Sequence, residues 1–318
     1  MRGTLIRLVR GRYAALLALA AVLLLMPLVA PSLFYLRIAT LVFIFAVAVL
    51  GLNLLMGFAG QVSLGHAGFF GIGAYAVAVG PAHLGLPSWA SLLAGAALAA
   101  LLAFVVGRPI LRLKGHYLAV ATLGFGLLIG MVFTNEARWT GGPDGMPVAR
   151  LVLFGWTVRG TQTWYWISGA TLALGALIAI NLIDSPTGRA FRAIHDSEVA
   201  AAVLGIDIAR YKLVAFVLSA VYAAVAGAYL ALFDGLVTPV NAGFLRSIEF
   251  VTMAVLGGLG SIFGSVVGAA VLTVLPQLLT VFHEYEHVAL GAIMIVFMLF
   301  LRAGVVPGIA ALIARKSP

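Results

Sequence analysis

Charged residues are scarce in this 318-residue chain, and cysteine is absent. Only 9% of the residues are Asp, Glu, Lys or Arg, whereas 63% are hydrophobic, and the mean hydropathy is +1.15. A water-soluble domain of this length could not bury so much apolar surface in a core. The lack of cysteine excludes disulfides, thiolate metal ligands and a thiol nucleophile. The shortage of charged residues, with the high apolar content, therefore excludes a soluble protein and indicates an integral membrane protein.

The uncharged stretches are long and continuous, which is typical of membrane-spanning helices and not of alternating barrel strands. The stretch between Arg37 and Arg108 alone has room for three spans of about 20 residues each. The first span follows a basic N-terminus, and we expect it to stay attached instead of being cleaved as a signal peptide. The predicted spans are 13–36, 38–56, 67–80, 88–107, 115–135, 160–183, 213–233, 250–283 and 287–301.

The uncharged stretch 250–283 is too long for one crossing. It either crosses twice or dips into the membrane and returns, with the break at Gly257-Gly-Leu-Gly260. We therefore predict an all-α polytopic membrane protein, a single transmembrane domain over 1–318. It has about ten transmembrane helices, or eight plus a re-entrant segment.

Basic residues are distributed unevenly between the connectors. The N-terminus and the segments 108–114, 184–212 and 302–318 contain fourteen of the 19 lysines and arginines. Because cytoplasmic loops are enriched in basic residues, these four segments are predicted to be cytoplasmic, with both termini inside. The segment 136–159 then becomes an external, periplasmic loop, either a docking site for a partner or a structural cap on the bundle.

Polar residues cluster around the first glycine-rich break. Asn53, Gln61, Ser63 and His66 lie in or next to 57–68. Polar groups at membrane depth are costly, so these four are candidates for a translocation pathway, or alternatively satisfy unwound helix ends.

A weak internal repeat connects this break with a second one. Gly57, Gly60 and Gly68 recur 200 positions later, with Gly257 and Gly260 in the second break. Glycine-broken segments in two halves of a transporter can mark its binding site, so Gly257 and Gly260 are also pathway candidates. In a chain with 37 glycines the match also arises readily by chance.

The cytoplasmic connector 184–212 is patterned as two short helices. Pro186 is placed at a helix start, and Asp196-Ser197-Glu198 is a second start signal. Gly205 is expected to end the second helix, predicted over 199–204. The apolar residues Phe191 and Ile194 share one face, which predicts a partner's groove or, alternatively, the lipid interface.

Several blocks of sequence resemble the branched-chain amino acid ABC permeases of the LivM type. They are GLNLLMGFAGQVSLGHAGFFGIGAY (51–75), GRPILRLKGHYLAVATLGFG (107–126), TGGPDG (140–145), GRAFRAIHDSEVAAAVLGIDIARYKLVAFVLSAVYAAVAGAYLA (188–231) and VLGGLGSIFGSVVGAA (255–270). Glu198 and the run Ala200 to Gly205 are also similar to the signature with which ABC importer permeases contact an ATPase, although Val199 intervenes.

The resemblance implies an ATP-driven importer of branched-chain or related amino acids in a bacterial or archaeal cytoplasmic membrane. It implies a homologous second permease, two cytoplasmic ATPases and a periplasmic binding protein as partners, with membrane lipid around them and no nucleic acid. ATP would bind to the partners, and the chain itself contains no phosphate-binding G-x-x-x-x-G-K-[ST] motif. Arg189, Arg192, Glu198, Ala200, Ala201 and Gly205 are the predicted ATPase-coupling residues.

Two other functions compete with this interpretation. His283, Glu284 and His287 have the spacing of a zinc protease motif, with Asp234 as a tempting further ligand. The order and depth of these residues are wrong for an intramembrane protease, so no metal or catalytic residue is predicted. An ion-coupled carrier usually needs a carboxylate at mid-depth, and none of the predicted spans contains one.

Overall fold

A computed structural model describes residues 2–29, 32–153, 155–279, 291, 295 and 304–308 of the chain. Helices dominate the described part. They are α1 (Arg2–Val29), α2 (Leu33–Asn53), α3 (His66–His83), α4 (Ser88–Ile110), α5 (His116–Asn135), α6 (Ala137–Thr140), α7 (Thr161–Asp184), α8 (Pro186–Asp196), α9 (Glu198–Val203), α10 (Ile208–Asp234), α11 (Phe244–Gly257) and α12 (Ile262–Leu279).

Short strands form two antiparallel pairs beside the helices. In chain order they are β1 (Met146–Pro147), β2 (Val152–Leu153), β3 (Trp156–Thr157) and β4 (Leu236–Val237). β1 pairs with β4, and β2 pairs with β3. The first pair joins the predicted external loop to the end of α10, since Met146 lies opposite Val237.

Six helices of the described part are long and apolar enough to cross a membrane. They are α2 with its π-helical extension to Phe58, α4, α5, α7, α10 and α12. The prediction of an all-α polytopic membrane protein is thereby confirmed.

The predicted stretch 250–283 is divided in two. α11 ends at Gly257 and α12 begins at Ile262, so the break falls at the predicted glycines. The last predicted span, 287–301, and the basic C-terminal segment lie largely outside the described residues.

α2 forms the centre of the bundle. Its apolar window is 89% buried, whereas that of α5 is only 22% buried. α7, α10, α11 and α12 pack against α2, α3 packs on α10, and α4 packs outside α3 and α10. The core is therefore built around the first glycine-rich break, and α5 lies at the periphery of the chain.

Two glycines allow α3 and α10 to pack closely. A Cβ atom on Gly73 would lie 1.8 Å from the carbonyl oxygen of Ala224, and one on Gly227 would lie 1.8 Å from that of Phe70. Small residues at helix crossings give membrane helices the close backbone approach that drives their association. α10 and α3 are therefore closely packed along their crossing, so a displacement of one helix would be expected to move the other.

Candidate functional site

The two glycine-rich breaks contact each other in the centre of the bundle. α2 continues as a π-helix over Leu54–Phe58, and the chain is then unwound until α3 begins at His66. A Cβ atom on Gly57 would lie 2.2 Å from the backbone nitrogen of Gly260. Gly60 and Gly260 both have left-handed φ angles, +69° and +73°. The recurrence of glycines thus marks two unwound segments that lie side by side.

Asn53 connects these two breaks. Its Nδ2 lies 3.2 Å from the carbonyl oxygen of Gly258, 2.9 Å from that of Ser261 and 2.9 Å from Ser265 Oγ. Its Oδ1 accepts a hydrogen bond from the Gly260 N–H at 2.9 Å. Unwound backbone away from water needs such partners. Asn53 is fully buried, so it satisfies the helix break, and a part in a translocation pathway stays a prediction.

The other three polar candidates are also buried and have partners within the chain. Ser63 Oγ lies 3.0 Å from His66 Nδ1, and His66 Nε2 contacts the hydroxyl of Ser219 on α10. Gln61 Nε2 donates to the carbonyl oxygen of Ala59 at 3.0 Å. The contact of His66 with Ser219 attaches the start of α3 to α10, and the other two contacts are local to the unwound segment. They place Gln61, Ser63 and His66 inside the bundle, and their predicted role in the pathway is untested by this geometry.

In the connector 184–212, three side chains cap three successive helices. Ser185 accepts a hydrogen bond from the N–H of Thr187 at the start of α8, and Ser197 accepts one from Ala200 in α9. Asp207 caps α10 in the same way. Such caps satisfy N–H groups that a helix leaves without partners. The predicted start at Pro186 is confirmed, and α9 begins and ends one residue earlier than predicted.

The apolar face of α8 is buried against the chain itself. Phe191 and Ile194 are fully buried, and the ring of Phe191 meets that of Tyr211 edge-on at 6.4 Å. α8 packs on α7, α10 and the π-helix. The prediction that Phe191 and Ile194 occupy a partner's groove is wrong, because the bundle already supplies the groove.

The exposed apolar surface lies on α9 instead. Val199, Val203 and Leu204 are 72%, 83% and 76% exposed. We call these three residues the α9 apolar face. The helix start and stop signals and the charges of this segment do not by themselves indicate this face. The i, i+4 spacing of Val199 and Val203 in an otherwise alanine-rich helix is the signal that could have revealed it.

The predicted coupling residues of α9 point in different directions. Ala200 and Gly205 are exposed beside the α9 apolar face, and Gly205 ends the helix with a φ of +78°. Ala201 is buried against the chain. Glu198 Oε1 lies 2.5 Å from Nζ of Lys212, whose side chain is only 3% exposed. Glu198 therefore attaches α9 to α10 by an ion pair, and its predicted role in ATPase coupling stays a prediction.

The two predicted arginines belong to α8, and their side chains reach back to the C-terminal end of α7. Arg189 donates to the carbonyl oxygen of Asp184 at 3.4 Å, and Arg192 donates to that of Ile183 at 3.2 Å. Cations at a helix C-terminus neutralise its partial negative charge and satisfy its last carbonyls. Both side chains are also exposed, so they support the connector and remain accessible to a partner.

The residues of the alternative zinc motif are only partly described. His283, Glu284 and His287 lie outside the described residues. Asp234, at the end of α10, has Oδ1 3.7 Å from Nη2 of Arg37. Within the described ranges, no group of three or more His, Cys, Asp or Glu residues is arranged to hold a metal ion.

Known proteins resemble this chain along most of its length. Residues 34–298 match the family described as "Branched-chain amino acid transport system / permease component". The chain is 35% identical over 294 residues to the high-affinity branched-chain amino acid transport system permease protein LivM of Escherichia coli strain K12. That match covers 85% of this chain and 69% of the relative.

More distant relatives carry other names. The permease protein LivH of Salmonella typhimurium is 27% identical over 285 residues, which cover 82% of this chain and 90% of LivH. The autoinducer 2 import system permease protein LsrC of Klebsiella pneumoniae is 32% identical over 172 residues, 51% of this chain and 48% of LsrC. No solved structure matches the chain significantly.

Proposed function

The chain belongs to the branched-chain amino acid transport system permease family, and we propose that it is the membrane-spanning permease subunit of an ATP-driven amino acid importer. It is a multi-pass membrane protein, placed by this proposal in the cytoplasmic membrane of a bacterium or archaeon. A homologous second permease, two ATPases and a periplasmic binding protein complete the transporter. The ATPases bind the ATP, and this chain has neither a catalytic site nor a cofactor.

The observation that carries the proposal is the α9 apolar face, which is exposed on a short helix that an ion pair attaches to α10. Val199, Val203 and Leu204 are exposed although the helix beneath them is capped and ion-paired. An amphipathic helix of this kind fits a hydrophobic groove on a protein partner. We assign that groove to the ATPase.

The contacts behind α9 provide a mechanical path into the membrane. Glu198 and Lys212 connect α9 to the start of α10, and α10 packs closely on α3 through Gly73 and Gly227. His66, at the start of α3, contacts α10 through Ser219. A displacement of α9 by ATP binding would therefore move α10 and α3 together, and with them the unwound segment between α2 and α3.

The proposed topology has ten crossings with both termini in the cytoplasm. α11 has 14 residues and is about 21 Å long, short of the hydrocarbon core of about 30 Å. α12, with 18 residues, is long enough by length and composition to cross. Eight crossings plus a re-entrant pair of α11 and α12 is therefore the alternative.

Cysteine labelling separates these topologies cleanly, because the chain has no cysteine of its own. Leu259→Cys places a thiol at an exposed position in the break between α11 and α12. In the ten-crossing topology an impermeant maleimide reaches this thiol from the cytoplasmic side, as it does in the control variant Ala200→Cys. Protection of the thiol in Leu259→Cys from both sides would support the re-entrant pair.

The proposed cargo is leucine, isoleucine and valine, as the names of the LivM and LivH relatives suggest. A relative that matches half of the chain is named for a different cargo, so the cargo needs a direct test. The full complex is reconstituted into proteoliposomes with the binding protein outside and ATP inside. Complexes inserted in the opposite orientation then lack access to both and do not contribute to the measured uptake. We expect uptake of labelled leucine only with ATP. Uptake that follows an ion gradient without ATP would overturn the proposal in favour of a carrier.

A further inference from the structure

A basic groove of about 700 Å³ lies between the end of α4 and the start of α10. Five basic side chains line it: Arg108, Arg112, Lys114, Arg210 and Lys212. Two acidic residues, Glu198 and Asp207, also line it. The groove thus has an excess of positive charge, which concentrates anions at its surface.

Both acids of the groove are already engaged. Glu198 pairs with the buried Lys212, and Asp207 accepts a hydrogen bond from the N–H of Arg210 as the cap of α10. Arg112, Lys114 and the guanidinium of Arg210 are exposed and have no carboxylate partner among the described residues. Three cations are therefore free to bind an anion, whereas the partial positive charge at the N-terminus of α10 is already met by Asp207.

The groove also has an apolar side that leads to the membrane. Phe104, Leu111 and Leu213 line it beside the cations, and the guanidinium of Arg108 stacks 4.1 Å from the centre of the Phe104 ring. Above Phe104, the outer face of α4 exposes Leu101 and Val105. The basic and apolar surfaces meet at the C-terminal end of α4, where Arg108 is the first charged residue after a long uncharged stretch. The end of a membrane span lies at the depth of the lipid headgroups.

We propose that this groove binds the phosphodiester headgroup of an anionic phospholipid, with the acyl chains on the exposed face of α4. The inference depends on the proposed function only for the side of the membrane, which is the cytoplasmic leaflet. Because Glu198 and Lys212 line the same groove, a bound headgroup contacts the ion pair that attaches α9 to α10.

The test measures lipid binding to the purified full-length chain by native mass spectrometry, with phosphatidylglycerol and phosphatidylcholine added separately. Arg112→Gln with Arg210→Gln should weaken binding of phosphatidylglycerol by roughly tenfold and leave that of phosphatidylcholine unchanged. The control pair Arg138→Gln and Arg150→Gln, exposed at the other predicted end of the molecule, should bind like the parent. Arg112→Lys with Arg210→Lys should restore binding and so exclude a folding defect.

Three results would overturn the proposal. Equal weakening in the control pair would mean that the lipid responds only to total charge. Displacement of the lipid by inorganic phosphate or ATP would make the groove a site for soluble anions. Release of the lipid when the ATPase is added would assign the groove to a protein partner. Val203→Asp separates the two proposals, because it should keep lipid binding even if the proposed ATPase contact fails.

Discussion

α8 and α9 are neighbours in one connector, yet they use their apolar residues in opposite ways. Phe191 and Ile194 of α8 are fully buried against the bundle, whereas Val199 and Val203 of α9 are among the most exposed apolar side chains described. Both helices begin at a serine cap. The difference shows that α8 is packed within the chain, whereas α9 leaves its apolar side chains exposed.

The largest effect on stability is expected for Phe191→Ala. Removal of a fully buried ring should lower the free energy of unfolding by about 3–5 kcal/mol, because a cavity remains beneath α8. Val203→Ala, at an exposed site, should change it by less than about 0.5 kcal/mol. Denaturant unfolding in detergent measures both. Equal losses for the two variants would show that α9 is also packed within the chain.

A smaller loss in the free energy of unfolding is expected for Asn53→Ala, which weakens the segment on which α8 packs. α8 packs on the π-helix that follows Asn53. The substitution removes an amide whose two N–H donors face oxygens of Gly258, Ser261 and Ser265 and whose Oδ1 accepts from the Gly260 N–H. With roughly 0.6–1.7 kcal/mol per interhelical hydrogen bond, the loss should be on the order of 2–4 kcal/mol.

Asn181→Ala, at an exposed position on α7, is the matched control and should leave unfolding unchanged. A stable Asn53→Ala variant that is deficient only in transport would contradict the structural role and support the pathway role.

Glu198→Gln tests the attachment of α9 to α10, and its expected loss in the free energy of unfolding is smaller than that of Asn53→Ala. Lys212 stays buried without its carboxylate, and because Glu198 is a quarter exposed, we expect a loss of about 1–3 kcal/mol. Lys212→Met in the same chain removes the unpaired charge and should recover most of this loss. A double-mutant cycle with no coupling energy between the two positions would rule out the ion pair as the attachment.

Sequence patterns were sufficient for the helical membrane class, for most of the long spans and for the helix signals in the connector. They misplaced the first span, predicted over 13–36, since α1 ends at Val29 and α2 begins at Leu33, and the number of crossings stays a prediction. Uncharged stretches located the membrane helices, and Pro186, Ser197 and Gly205 have local conformational preferences that no tertiary contact had to supply. The partners of Asn53 and Glu198 could not be predicted from sequence patterns. Asn53 bonds to residues more than 200 positions away, and Glu198 finds Lys212 only after α9 folds back on α10. Spacing cannot reveal such partners, and it equally could not decide which of two apolar helix faces the bundle would cover.

The central claim is that the α9 apolar face is the contact with the ATPase, and Val203→Asp tests it most directly. The residue is 83% exposed, so the substitution should leave stability unchanged within about 0.5 kcal/mol. It should reduce co-purification of the ATPase and ATP-driven leucine uptake at least tenfold, since a charge enters an apolar contact. Val240→Asp, also highly exposed but on the segment that leads into α11, should retain both. Parental co-purification and uptake in Val203→Asp would contradict the account.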